Sequence, residues 1–267
     1  MRLRTAGLLM AGGLLFSVSP AGGATGRTIT LAYTAELRGN LVPCACPARP
    51  LGGLARRIGW VDSLRSATAG PVFVVDAGSS EEPLGGYPFV PPAERVGLQT
   101  LLEAADREMA YDASVGASRD AASLQANEAR RVVRDGVAVG FVAVDERTDP
   151  TPAGKAVRAL GRVDLVVLLC SGDFSFATTA AGIVRADIAV VARGAKYTAP
   201  IWQDGVLFLG PGVDGKYVGL ARVTDGKPVR ALDVRLRSMD ATVPSSPAWE
   251  ERVETALVGL EARHPGA

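Results

Sequence analysis

The chain has 267 residues, 48% of them apolar, with 29 Lys or Arg, 28 Asp or Glu and one His. So even a balance argues against a nucleic-acid binder, which needs a basic face to displace counterions. The apolar fraction suffices for a substantial core in one large domain or two small ones.

Arg2 and Arg4 precede an apolar run over residues 8–18, then Pro20 and the small residues 21–24. This is the layout of a secretory signal peptide, with cleavage expected after Ala24. The alternative is a retained anchor, for which the run is shorter than the roughly 20 residues a spanning helix needs. No Cys follows the run at a cleavage site to accept a lipid, and no later segment is long and apolar enough to span a bilayer. Removing residues 1–24 takes away two Arg and no acids, leaving 27 basic and 28 acidic side chains and a net charge of −1. A periplasmic or secreted location places Cys44, Cys46 and Cys170 in an oxidising compartment, where three cysteines form at most one intramolecular disulfide.

In chain order, residues 28–33 read as a buried strand, followed by a loop over 34–51 whose prolines flank the Cys44 and Cys46 pair. Gly52 and Gly53 open a helix to about Ala67, with Leu54, Ile58, Val61 and Leu64 at helical spacing. A second strand, 72–75, runs into Asp76-Ala77-Gly78-Ser79, completing a βαβ unit. A loop is expected over 80–92, a helix over 93–108, a short strand over 111–115 and a helix over 119–127. Segments 132–135 and 137–144 flank Asp135-Gly136, which favours a tight hairpin. After Pro150 and Pro152 come a short helix, a strand over 163–169 ending in Cys170-Ser171-Gly172-Asp173, and a helix over 176–185. The strand 188–191 then ends in Ala192-Arg193-Gly194-Ala195-Lys196. Segments 206–209, 217–223 and 229–236 read as an antiparallel meander, and Pro247 begins a last helix reaching about Arg263. The expectation is an α/β fold, an α/β/β/α four-layer sandwich of two mixed sheets packed face to face, in a single domain over 25–267.

Several of these segments carry a resemblance. Residues 29–41, with Tyr33-Thr34-Ala35-Glu36-Leu37-Arg38-Gly39-Asn40, resemble the opening strand and loop of the secreted 5'-nucleotidase and cyclic-phosphodiesterase family, where the pattern is roughly Y-T-N-D-L-H-G-N. Pro43-Cys44-Ala45-Cys46 and Leu51-Gly52-Gly53-Leu54-Ala55-Arg56-Arg57 resemble a bacterial branch with P-C-G-C and L-G-G-L-A-R-R. Residues 74–79 resemble the strand ending in D-A-G-D. Residues 111–116 resemble the strand before G-N-H-E, 164–171 the strand before the third ligand-bearing loop, 188–196 the G-G-H-x-H region, and 215–219 G-K-Y-x-G. The resemblance covers about residues 28–237 and implies the calcineurin-like metallophosphoesterase fold. It stops before the second, substrate-binding domain of the long members, which a chain of this length does not hold.

The resemblance implies two divalent metals that clamp a phosphate ester and activate water. It also shows which ligands are replaced. Glu36 and Arg38 stand for Asp and His, Ser79 for the bridging Asp, and Ala117 and Ser118 for the Asn and His of G-N-H-E. Ser171, Gly194, Ala195 and Lys196 stand where His is expected, and the single His of the chain is His264 near its end. Asp76 is retained, in a position that mainly supports the loop. The leading expectation is therefore a non-catalytic relative, without metal cofactors, that binds through the former active-site face. Arg38, Arg119, Arg193 and Lys196 suggest an anionic small molecule or acidic protein surface as its partner. Two alternatives stay open: a hydrolase with a reduced metal site on Glu36, Asp76 and Asp112 or Asp173, and a thiol-based metal or redox protein in which Cys44, Cys46 and Cys170 converge.

Overall fold

The computed structural model describes residues 26–78, 92–116, 122–193 and 199–263. In chain order these form β1 (Thr28–Thr34), α1 (Leu54–Ala67), β2 (Val72–Asp76), α2 (Pro92–Met109), β3 (Ala113–Val115), β4 (Ser123–Leu124), β5 (Ala129–Arg134) and β6 (Val137–Asp145). There follow α3 (Thr151–Ala159), β7 (Leu165–Ser171), α4 (Phe174–Val184), β8 (Ile188–Val191), β9 (Ile201–Gln203), β10 (Val206–Leu209), β11 (Tyr217–Thr224), β12 (Ala231–Ser238) and α5 (Pro247–Arg263).

The strands make two six-stranded mixed sheets, ordered β12-β11-β1-β2-β3-β4 and β5-β6-β7-β8-β10-β9. Strands β1 to β4 of the first are parallel, as are β6, β7, β8 and β10 of the second. Parallel strands buried on both faces read as continuous apolar runs, and side-chain alternation divides each run between two cores. Ile29, Leu31, Phe73 and Val75 of the first sheet meet Val139, Phe141, Val167, Leu169 and Val190 of the second in a central core. Phe73 and Phe141 face each other across it, ring centroids 5.8 Å apart. The alternate residues turn outward. Ala32 and Val74 pack under α1, α2 and α5, and Val142, Leu168 and Ala189 pack under α3 and α4. The result is the four-layer α/β/β/α sandwich expected from the sequence.

Two expectations are corrected. The expected helix over 119–127 is not formed in its described part, where β4 pairs with β3 and Asn127 takes a φ of 68°. Ser123 and Gln125 turn their side chains to the Gly116 carbonyl, the competition for backbone groups that disfavours such residues inside helices. The meander after residue 200 is split between sheets: β10 joins β8 and β9, whereas β11 crosses to pair with β1 and β12. β10 and most of β11 are buried, so no polar alternation marks the sheet to which each belongs. Among the described residues no helix is long and apolar enough to cross a membrane.

Close approach at one glycine fixes the register of the first sheet. Tyr33 lies opposite Gly219, and a Cβ there would fall 2.0 Å from the Tyr33 ring. Gly219→Ala should therefore destabilise the protein in urea unfolding by at least about 1–3 kcal/mol, the cost of overpacking a filled core. Gly182, exposed on α4 with nothing within 4 Å of an added Cβ, is the control. Gly182→Ala should raise stability by about 0.5–1 kcal/mol through helix propensity.

Candidate functional site

The loops that follow the carboxyl ends of parallel strands are where ligands bind in open α/β sheets. At the ends of β1 and β2 the ladder continues past the strands. The Ala77 amide donates to the Thr34 carbonyl at 2.9 Å, and the Glu36 amide to the Gly78 carbonyl at 2.9 Å. Asp76 is buried, and its carboxylate accepts from the Thr34 hydroxyl at 2.6 Å and the Gly78 amide at 2.8 Å. These contacts tie the Asp76 carboxylate to β1 and to its own loop.

Glu36 and Arg38 both adopt left-handed backbone, each at φ 48°, a conformation that is uncommon for residues with a side chain and collects at functional sites. The turn buries the Glu36 carboxylate and sets its Oε2 3.7 Å from Arg38 Nη2. Arg38 Nη1 lies 3.8 Å from Asp214 Oδ1, and Asp214 Oδ2 is 3.0 Å from Lys216 Nζ. The Asp214 amide donates to the Glu36 carbonyl at 2.9 Å, which binds this loop to the approach of β11.

Beneath the loop lies the fully buried Arg57 of α1, whose Nη2 donates to the Asn40 carbonyl at 3.2 Å. Its Nε and Nη1 find no hydrogen-bond partner among the described residues. Burial pushes the guanidinium below the usual arginine range, against the fields of Tyr111, Asp106 and Asp76. Burial likewise raises the Tyr111 phenol, which stands 3.4 Å from the Thr34 hydroxyl.

The second sheet contributes a separate cluster. Asp145, the last residue of β6, is paired with Ser171, the last of β7. The Glu146 amide donates to the Ser171 carbonyl at 3.2 Å, and the Arg193 amide to the Gly172 carbonyl at 3.0 Å. Arg193 forms an ion pair with Glu146. Arg147 grips Asp145 through two side-chain hydrogen bonds, at 2.8 and 2.5 Å, and one from its amide at 2.9 Å, holding the carboxyl below the usual range.

Of the residues singled out from sequence, Glu36, Arg38 and Asp76 meet at the ends of β1 and β2, and Ser171 and Arg193 meet at the ends of β7 and β8. Ser79, Ala117, Ser118, Arg119, Gly194 and Lys196 lie outside the described residues. The two described arginines of the expected anion-binding set are each set against carboxylates, Arg38 on Glu36 and Asp214 and Arg193 on Glu146. Asp112 and Asp173, the expected supplements to a reduced metal site, have structural duties. Asp112 accepts from Arg134 at 2.7 Å and from the Val74 amide at 2.9 Å, and Asp173 caps α4 through the Phe176 amide at 2.8 Å. The three-cysteine cluster is also corrected. Cys170 points into the core under α3 and α4, where burial raises its thiol, whereas Cys44 and Cys46 stand on the loop after β1. Period-two alternation accounts for this, because it turns Cys170 to the helix-covered face with Val166 and Leu168. Among the described residues no three His, Cys, Asp or Glu side chains form a group able to hold a metal ion. The described part of the site does not fit a two-cation centre, which needs a dense set of such donors.

Asp214, Glu146 and Arg57 are the site residues that sequence reading missed. A signal existed for the first two, since each is an acid in a loop adjoining a strand end. The depth of Arg57 had one too, because it stands three residues after Leu54 and four before Val61, on the apolar face of α1.

No protein-family model matches the chain, and no curated protein matches it. Solved structures do. A 5'-nucleotidase precursor from Thermus thermophilus aligns with a TM-score of 0.65 at 19% identity, over 89% of this chain and 59% of that one. The Thermus thermophilus sulfate thiohydrolase SoxB aligns with a TM-score of 0.65 at 16% identity, over 88% and 60%. The calcineurin-like phosphoesterase YfkN from Bacillus subtilis aligns with a TM-score of 0.59 at 14% identity, over 88% and 98%. The chain thus has the fold of the 5'-nucleotidases and calcineurin-like phosphoesterases, and it spans about three fifths of the length of the two Thermus proteins.

The contact between Thr34 and Asp76 holds the first cluster together. Thr34→Val and Asp76→Asn should each destabilise the protein, and a double-mutant cycle by urea unfolding should give a coupling of about 1 kcal/mol or more, as for a buried hydrogen bond to a charged acceptor.

Proposed function

We propose that this chain is an exported, non-hydrolytic protein of the metallophosphoesterase fold that acts by binding, as a recognition or assembly component. The observation that carries this reading is the engagement of the two acids at the ends of β1 and β2. Glu36 lies against Arg38, and Asp76 accepts from the Thr34 hydroxyl and the Gly78 amide. A divalent cation at this point would meet the guanidinium charge of Arg38 and compete for the two Asp76 oxygens, which already accept hydrogen bonds. The chain's one His, His264, adds no imidazole near these loops in the sequence. The layout of residues 1–24 supports export.

The surface proposed for a partner takes in Arg38, Asp214 and Lys216 beside the end of β1, and Glu146 and Arg193 beside the ends of β6 and β8. An anionic small molecule or an acidic protein surface would displace the internal carboxylates from these cations, so its binding should be weak and salt-sensitive. A second reading, a phosphoester hydrolase with a reduced metal site, draws on the burial of the Glu36 carboxylate at a strand end.

Protein purified without chelator should hold less than one equivalent of Mn, Zn or Fe by elemental analysis and hydrolyse no activated phosphodiester above background. Two bound metals with turnover that Glu36→Ala abolishes would establish the hydrolase instead. Mass spectrometry of protein from an exporting host should find a chain beginning near residue 25, and one beginning at Met1 in the membrane fraction would mean an anchor. Titration with inorganic phosphate at low salt should shift amide resonances in residues 34–40 and at Arg193. Unmoved resonances there would remove anions from the reading.

A further inference from the structure

The loop from Pro43 to Gly52 is held at many points before any thiol chemistry is considered. Pro43 and Gly52 form a β-bridge at its base, and the Cys44 amide donates to the Leu51 carbonyl at 2.8 Å. The Gly52 amide donates to the Met239 carbonyl at 2.8 Å, Arg49 bonds Asp240 at 2.5 Å, and Arg56 reaches the Pro50 carbonyl at 3.0 Å. On this support Cys44 is half-buried and Cys46 exposed, with their Sγ atoms 2.8 Å apart. The Leu51 amide donates to Cys44 Sγ at 3.3 Å.

Two ordinary roles for such a pair do not fit. The stabilisation a disulfide gives by loop closure grows with the loop it closes, so a Cys44–Cys46 bond would constrain almost nothing that the anchors above leave loose. A closed zinc site needs four donors, and among the described residues no third Cys, His, Asp or Glu joins the pair in a metal-holding group.

We propose that Cys44 and Cys46 are a redox-active dithiol that exchanges with external disulfides and thiols. In the oxidising direction the Cys44 thiolate attacks one sulfur of a low-molecular-weight disulfide RSSR, forming a Cys44–SR mixed disulfide and releasing RS⁻. Cys46 then gives up its proton and attacks Cys44 Sγ, closing the intramolecular disulfide and expelling the second RS⁻. In sum, the pair loses two electrons and two protons, and RSSR becomes two RSH. In the reducing direction the steps run backwards: an external thiolate attacks Cys44 Sγ and expels Cys46, which takes up a proton, and a second thiolate attacks the outer sulfur of the Cys44–SR mixed disulfide, releasing RSSR and the Cys44 thiolate.

The environment suits these roles. The Sγ–Sγ contact with Cys46 and the hydrogen bond from the Leu51 amide bring the Cys44 thiol below its usual range, and the same contact raises Cys46. The ammonium of Lys216 favours the thiolate at Cys44. Because the ring closed between Cys44 and Cys46 is small and strained, its disulfide is readily reopened, which is the property of an exchanging pair. Cys170, buried in the core under α3 and α4, stays out of the reaction.

The test equilibrates the purified protein in reduced and oxidised glutathione over a wide range of ratios, quenches with acid, and counts thiols by alkylation and mass spectrometry. The expected result is a reversible two-electron transition in which Cys44 and Cys46 are lost together while Cys170 remains reduced. Cys46→Ser should react with oxidised glutathione and stop at a stable mixed disulfide on Cys44. Cys44→Ser should react about tenfold more slowly or worse, having lost the activated thiol. A pair that stays reduced in oxidised glutathione alone, a disulfide that reduced glutathione cannot reopen, or equal rates in the two variants would each overturn the proposal. Both substitutions fall on a surface loop, and a circular dichroism spectrum matching that of the unaltered protein shows that they leave the fold intact.

Discussion

A carboxylate taken out of water at the end of β2 has to be met by donors, and meeting it organises this end of the molecule. An unpartnered buried carboxylate costs several kcal/mol, on the order of a large part of a domain's stability. Asp76 is met from β1 by the Thr34 hydroxyl and from its own loop by the Gly78 amide, while Arg57 of α1 supplies a favourable field. With Thr34 and Gly78 placed, the backbone ladder extends to Glu36. The Glu36 carbonyl in turn receives the Asp214 amide, so the loop that begins β11 is drawn in as well. One ionised side chain thus ties together two parallel strands, a helix and the connection that crosses from one sheet to the other.

How much of this could be read from the chain depended on whether the deciding interaction was local. The strands β2, β7 and β8 are mainly apolar runs, and β1 joins them with Thr among its apolar residues; their alternation serves two cores at once, and such runs announce themselves. Asp135 and Gly136, with φ of 49° and 74°, make the hairpin that their dipeptide predicts. The short β4 was misread because its pairing with β3 comes from residues nine positions or more away, while its own sequence is neutral. The assignment of β10 and β11 to different sheets failed for the same reason. Both are apolar, and only the chain's path through Gly210-Pro211-Gly212 decides where each one pairs.

The candidate site was legible as positions and, beyond close neighbours in the chain such as Glu36 and Arg38, illegible as partnerships. Motif spacing located Glu36, Arg38, Asp76 and Arg193 at strand ends, where the structure has them. It did not reveal that Arg38 would face Asp214, which follows it by more than 170 residues, or that Arg193 would face Glu146. Formal charge counting treats each arginine as a free cation. Proximity in the folded chain turns them into the counter-charges of buried or half-buried acids, and the positive cleft anticipated from sequence becomes a nearly compensated rim.

That compensation has a consequence for how such a scaffold folds. Loops that gather carboxylates at one end of a sheet repel one another unless cations are present, and in a metal-dependent site loading supplies them. Here the guanidinium of Arg38 stands between Glu36 and Asp214, and that of Arg193 stands on Glu146, so the counter-charge is covalently part of the chain. Each pair is individually modest. Arg38 is 42% exposed at its side chain, a setting in which an ion pair contributes under about 1 kcal/mol. Their effect is to remove a repulsion. With these cations in place, the left-handed turn at Glu36 and Arg38 and the extended ladder from Thr34 to Gly78 rest on the three apolar cores with their acids opposed by arginine charge.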